Sequence, residues 1–175
     1  MNMRMIQFVA ACLVLICTVS SLARPTSADE PVSAPAITIA EARGRAKLLQ
    51  EVFHATLQIV HLRYYREDEG LIIPARTLES VFGELERSQH VKIRWLSVNA
   101  PAMNVDHEPK DKFEKAAVQA LTRGKQAYEA VDNGVYRHVG AITLTSECLK
   151  CHVPRRTSLE DRLAGLAISM AVKEK

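Results

Sequence analysis

The sequence predicts an α+β domain: an antiparallel sheet with one long helix packed on it. Three observations lead there. From Thr38 onward apolar residues recur at three- and four-residue steps, the period of a helix with one buried face. "HVKIRWLSV" (90–98) alternates Val91, Ile93 and Trp95 with Lys92 and Arg94, the period of a half-buried strand, and "VYRHVGAITLT" (135–145) and "RLAGLAISMAV" (162–172) supply two more strands. The order of elements is helix, helix, strand, helix, strand, a cysteine motif, strand, which fits helices packed on an antiparallel sheet.

The N-terminus comes first and stands apart. "MNMRMIQFVAACLVLICTVSSLARPTSADE" has Arg4 as a short positive segment, then an almost wholly apolar run over 5–19. Small residues follow, with candidate cleavage sites after Ala28 (Thr26-Ser27-Ala28) or Ala23 (Ser21-Leu22-Ala23). This is the shape of a secretory signal, assigned to residues 1–28. A bilayer span needs about 20 apolar residues, so an uncleaved anchor is the weaker reading and no membrane span is expected after cleavage. Two of the four cysteines, Cys12 and Cys17, leave with the signal. Loss of Arg4 and Arg24 lowers the formal charge from +3 to about +1. No Lys/Arg block remains, so no nucleic-acid partner is expected.

Residues 29–37, "DEPVSAPAI", read as a flexible linker. Residues 38–175 are enough for a single domain with its own core. Thr38 followed by Glu41 predicts a capping box, and Leu49, Phe53, Leu57, Val60/His61 and Tyr64 mark the inner stripe of a helix over 39–65. "REDEGLIIP" (66–74) breaks it, and Leu78, Val81, Phe82 and Leu85 predict a second helix over 75–88. "NAPAMNVDHEP" (99–109) is a polar loop with two prolines, in which Asp106-His107-Glu108 reads as a solvated turn. Asp111 and Glu114 predict another capping box, opening a helix that extends to Val131 across Gly124. "DNG" (132–134) is a turn before the second strand.

The chemistry concentrates in "TSECLKCHVP" (145–154). Cys148, Cys151 and His152 form Cys-x-x-Cys-His, the attachment signature of c-type haem. Two thiols add across the two vinyl groups, two intervening residues let one helical turn present both sulfurs to one porphyrin edge, and the adjacent imidazole reaches the iron. A chance match in a chain of this composition is on the order of one in a thousand. Both cysteines left after signal removal are used here, and attachment outside the inner membrane of a bacterium agrees with an exported, periplasmic protein. A plain disulfide leaves His152 unexplained. A thiol-disulfide oxidoreductase is the chemical rival, with Ser146 capping a helix whose dipole lowers a thiol pKa. The thioredoxin arrangement, however, puts its dithiol early in the domain. Zinc would need further ligands, from His107 or His138, and no second paired motif exists.

Candidates for a second axial ligand are His54, His61, Met103, His107, His138 and Met170. His61 follows Leu57 by four residues and Phe53 by eight, so it faces the core. His54 lies seven residues earlier on nearly the same side. Arg94, with Lys92, could neutralise haem propionates, and would serve equally as the outer face of a strand. No nucleophile–base pair, Gly-rich phosphate loop or paired catalytic carboxylates are present. The residues therefore point away from an enzyme.

From about residue 45 to 172 the chain resembles a bacterial family of single-haem, periplasmic PAS-like domains, found as sensor modules of chemoreceptors and histidine kinases and as free-standing exported proteins. The stretches that carry the resemblance are "VKIRWLSVNAPAMN", "DKFEKAAVQAL", "NGVYRHVGAITLTSECLKCHVP" and "DRLAGLAISM". It implies a PAS-like sheet with one covalent haem c in its pocket and His152 as the proximal ligand. Some members place a distal cysteine on the long first helix. Here "LQIVH" falls at that place, which implies ligation by His61 and His152. The "REDEGLIIP" insertion and a loop without the usual Arg-Asn-Pro wording are departures. The expected work is one-electron transfer or redox/gas sensing, with a small gas such as NO or CO as a potential ligand and a separate redox or signalling protein as partner.

Overall fold

The computed structural model describes residues 36–64, 72–153 and 157–173, without the side chains of Glu147 and Cys151. The signal assigned to 1–28 and most of the linker lie outside the described residues, as do most of the 66–74 break and the basic 154–156 stretch. The elements are α1 (Ile39–Tyr64), α2 (Pro74–Gln89), β1 (Val91–Ser97), α3 (Lys112–Thr122), β2 (Ala127–Asp132), β3 (Val135–Leu144), α4 (Ser146–His152) and β4 (Arg162–Ala171), with a short 3-10 turn over Val105–His107. The strands form one antiparallel sheet in the order β1-β4-β3-β2. The predicted α+β class with an antiparallel sheet is what the chain adopts.

The predicted capping box at Thr38 forms, and at Asp111 the cap forms with the return bond shifted to the preceding residue. Glu41 N–H donates to Thr38 Oγ1 (3.2 Å) and Thr38 N–H to Glu41 Oε2 (2.8 Å). Glu114 N–H donates to Asp111 Oδ1 (2.9 Å), while the Glu114 carboxylate accepts from Lys110 N–H (2.7 Å). Each satisfies amides that the first helical turn leaves without partners.

One expectation is corrected. The helix predicted to reach Val131 ends at Thr122, and residues 127–132 are a strand. Gly124 is the cause. It takes φ +89°, its N–H donates to Leu121 O (2.9 Å), and Lys125 N–H donates to Ala120 O (3.1 Å). That pair of bonds is a Schellman C-cap, which glycine enters without a Cβ penalty. Asn133 (φ 49°) and Gly134 (φ 70°) then make a two-residue turn with both central φ positive, the turn whose twist matches a hairpin, so "DNG" joins β2 to β3.

Strand alternation sorts the side chains onto two faces. One face carries Val91, Ile93 and Trp95 of β1, Leu166, Ile168 and Met170 of β4, and Tyr136, Ile142 and Leu144 of β3. It is covered by Ala42, Ala46 and Phe53 of α1, Phe82 of α2 and Leu149 of α4. Phe53 meets Phe82 edge-on at 5.0 Å, and Phe82 meets Trp95 at 5.0 Å. The Trp95 indole N–H donates to Ala75 O (2.9 Å), fastening β1 to the first turn of α2. The opposite face is covered by α3, whose Ala117 and Leu121 pack on Leu96, Val139 and Ala167. Among the described residues no helix is long and apolar enough to cross a membrane.

Candidate functional site

The motif lies on α4, a seven-residue helix in the connection between the two central strands. Its cap is Thr145 rather than the predicted Ser146, which is the first helical residue. The helical backbone sets positions 148 and 151 one turn apart, hence on one side. Leu149, between them, is fully buried in the core beneath α1 and β3 and anchors the helix. Burial of a leucine contributes about 1.5–3 kcal/mol. Cys148 is a free, half-buried cysteine packed against the same core, with Thr145 Oγ1 at 3.7 Å from its sulfur. The Cys151 side chain lies outside the described residues.

His152 closes α4 and is half-buried. Burial lowers its pKa, and the nearby His61 and then His107 lower it further, because each disfavours a second positive charge. His61 and His107, from distant parts of the chain, are thus near enough to act electrostatically on His152. His61 arrives on the last turn of α1, half-buried, with Phe53 and Leu57 of the same stripe turned into the core. His107 arrives on the 3-10 turn, its Nε2 2.9 Å from Glu79 Oε1 of α2. The backbone on either side of His107 is fixed, because the Arg94 guanidinium donates to the carbonyls of Asp106 and Glu108 (3.1 Å to the latter) and Asn104 Oδ1 accepts from Asp106 N–H (3.0 Å). The loop is tied again at its start, where Leu163 N–H donates to Asn99 Oδ1 (2.6 Å).

The other predicted residues go elsewhere. His54 has its ring nitrogen 3.0 Å from Gln58 Nε2, and it is His61 and His107 that act on His152. Met103 is largely exposed. Met170 is buried between Val91 and Tyr136 of the neighbouring strands. His138 is 3% exposed, lies on β3 beside Glu129, and has its pKa lowered by burial. Arg94 points to the α3 face, away from the motif, where Nη1 pairs with Glu114 Oε1 at 2.6 Å. The alternation of β1 carried that information, since Arg94 and Trp95 are consecutive and take opposite faces. Sequence reading passed over Glu79 and read His107 as part of a solvated turn. Glu79 on an exposed helix flank gives no periodic signal of its partner.

Among the described residues no group of three or more His, Cys, Asp or Glu could hold a metal ion by itself. An iron carried by a macrocycle asks less of a protein: one or two axial side chains, covalent anchors and apolar walls. His152 with His61, Cys148, and the Phe53, Leu57 and Leu149 surroundings are a donor set of that kind.

Residues 35–165 match the family model described as Tll0287-like. Among solved structures, the crystal structure of the cyanobacterial haem protein Tll0287 aligns with a TM-score of 0.50 at 15% identity, covering 74% of this chain and 97% of that one. At that identity the likeness concerns the fold. No curated protein matches. The resemblance drawn from the sequence and these two matches point to the same kind of family.

Proposed function

The chain belongs to the Tll0287-like family, and from that premise we propose that it is an exported, periplasmic, single-haem c-type protein with a PAS-like domain. Cys148 and Cys151 are the thioether anchors, His152 is the proximal ligand and His61 the distal one. The observation that carries the reading is the Cys-x-x-Cys-His run set on α4, with Leu149 between its cysteines buried in the core. When bound, the haem supplies a one-electron couple. The chain's own residues do the rest. α4 would hold the anchors, Leu149 holds α4 to the sheet, and Phe53, Leu57 and Val153 would supply apolar walls to the bound group. Burial favours the neutral form of His152, the form that ligates. The haem-protein description of the structural neighbour supports this reading.

The work is one-electron transfer or redox/gas sensing, exerted through a separate redox or signalling protein. The test is a visible spectrum, oxidised and reduced, of protein exported from a bacterium with the cytochrome c maturation machinery. A sharp reduced α band that survives acid–acetone extraction is the expected result. A colourless folded protein with two titratable thiols would overturn it and leave the CxxC thiol-disulfide oxidoreductase in its place.

A further inference from the structure

We propose that the outer face of α1 is a dimerisation surface, on which a second copy of this chain packs its own α1 in parallel to form a two-stranded coiled-coil seam. The inference does not depend on the haem reading, because it uses the side of α1 turned away from the sheet.

α1 carries two apolar stripes. The inner one, with Ala42, Ala46 and Phe53, is buried against the sheet. The outer one is Leu48, Val52, Ala55, Ile59 and Leu62, all exposed, with Leu48 65% and Leu62 79% accessible. Ala55 follows Ala46 by nine residues and Leu62 follows Phe53 by nine. Nine residues make two and a half turns, so the outer stripe lies opposite the buried one. Among the described residues neither hydrophobic core includes any of the outer five. A contiguous apolar stripe facing water marks an interaction surface.

The spacing and residue types select the partner. The steps along the stripe are four, three, four and three, the heptad period of a helix–helix seam. Val52 and Ile59 fall at a, and Leu48, Ala55 and Leu62 at d. β-branched residues at a with leucine at d favour two parallel strands. In that arrangement each seam residue meets its own counterpart, so the surface is self-complementary, as a two-fold dimer requires. The flanks agree: Glu51 and Gln58 at g face the partner's Thr56 and the partner's Arg63 at e, which opposes no like charges. Arg45, at the preceding a position, ends the seam. The stripe is about 22 Å long, and closing two copies of it buries roughly 1,000 Å², the size at which a specific interface begins. Two heptads suffice because α1 is already held as a helix by the sheet, and association has no helix to nucleate.

The experiment is sedimentation velocity of the exported full chain over a roughly hundredfold range of concentration, because the dimer fraction follows mass action. The wild type should sediment as a dimer when concentrated and as a monomer when dilute. Ile59 faces solvent, so I59E and I59K should keep the wild-type circular dichroism yet remain monomeric, since each sets like charges against each other across the seam. An equimolar mixture of I59E and I59K should dimerise again. That recovery is specific to a parallel seam, where position 59 meets position 59, and it rules out misfolding as the reason each variant is monomeric. L159E, at another exposed leucine, should behave as the wild type. A wild type that is monomeric throughout, a dimer that survives I59E, or a mixture that stays monomeric would each overturn the proposal. So would a monomer that binds phosphatidylglycerol vesicles through the stripe, lost in I59E, which would assign this face to a lipid surface. None of these outcomes depends on whether haem is attached.

Discussion

The two faces of the sheet are built from the same four strands and do opposite things with polar side chains. On the α3 face the buried carboxylate is matched inside the protein. Glu114, 3% exposed, lies 2.6 Å from Arg94 and 3.5 Å from Arg137, and Arg137 also pairs with Asp111 at 2.7 Å and stacks over Phe113 at 4.3 Å. On the α1 face the two halves of the helix differ. Its N-terminal half closes a network in which Arg43 pairs with Glu129 (2.7 Å) and Tyr136 donates to Glu129 (2.6 Å). Its C-terminal half carries His61, which with His107 acts on His152, and Glu79 holds the His107 ring (2.9 Å). The end of α1 that carries His61 is where the candidate site lies.

That contrast can be broken or sharpened by substitution. The largest effect is expected at the motif. C148S/C151S protein should lose all covalently bound haem, read as complete extraction by acid–acetone, while the α3 face stays folded. Next, L121A removes a fully buried side chain under α3 and should cost about 2–5 kcal/mol in denaturant unfolding, yet leave the haem spectrum unchanged. A spectral change in L121A would mean that the faces are not independent. E114Q uncouples two guanidiniums from their buried carboxylate. It should cost about 2–3 kcal/mol, less than for a fully buried pair because Arg94 and Arg137 keep some exposure.

The smallest effect concerns pH. Burial lowers the pKa of His138 below its ordinary 6.5. Below pH 6.5 the unfolded chain therefore binds a proton that the folded chain resists, so stability present at higher pH is lost as pH falls. Thermal unfolding between pH 7 and pH 5 should show that loss in the wild type and a flatter profile in H138Q. At still lower pH, protonation of Glu129, whose pKa is held down by Arg43, should remove a further increment in both proteins.

Much of this was legible in the chain. The capping boxes at Thr38 and Asp111, the alternation of β1, and the Cys-x-x-Cys-His run each express a local rule, and local rules can be read without coordinates. The end of α3 was misplaced because Gly124 admits two readings, a mildly unfavourable helical residue or a C-cap, and the choice depends on whether Tyr128 can pair with Val139 across the sheet. That His61 lies in the last turn of α1 was legible because helical spacing from Phe53 carries to it. The Glu79–His107 pair was not, since it joins α2 to a loop twenty-eight residues later and no period links the two. Arg94 was placed on the right strand, and its pairing with Glu114 on the α3 face joins residues twenty positions apart that no period links.

The position of α4 between β3 and β4 also sets an order in time. These are ten-residue strands, and they pair along their whole length from Val135 with Ala171 to Leu144 with Arg162. Zipping that ladder draws the motif helix down and seals Leu149 between the two attachment positions. On the proposed reading the thiols must meet the porphyrin vinyl groups while both are still reachable. On that reading, loading with haem would compete with closure of the hairpin.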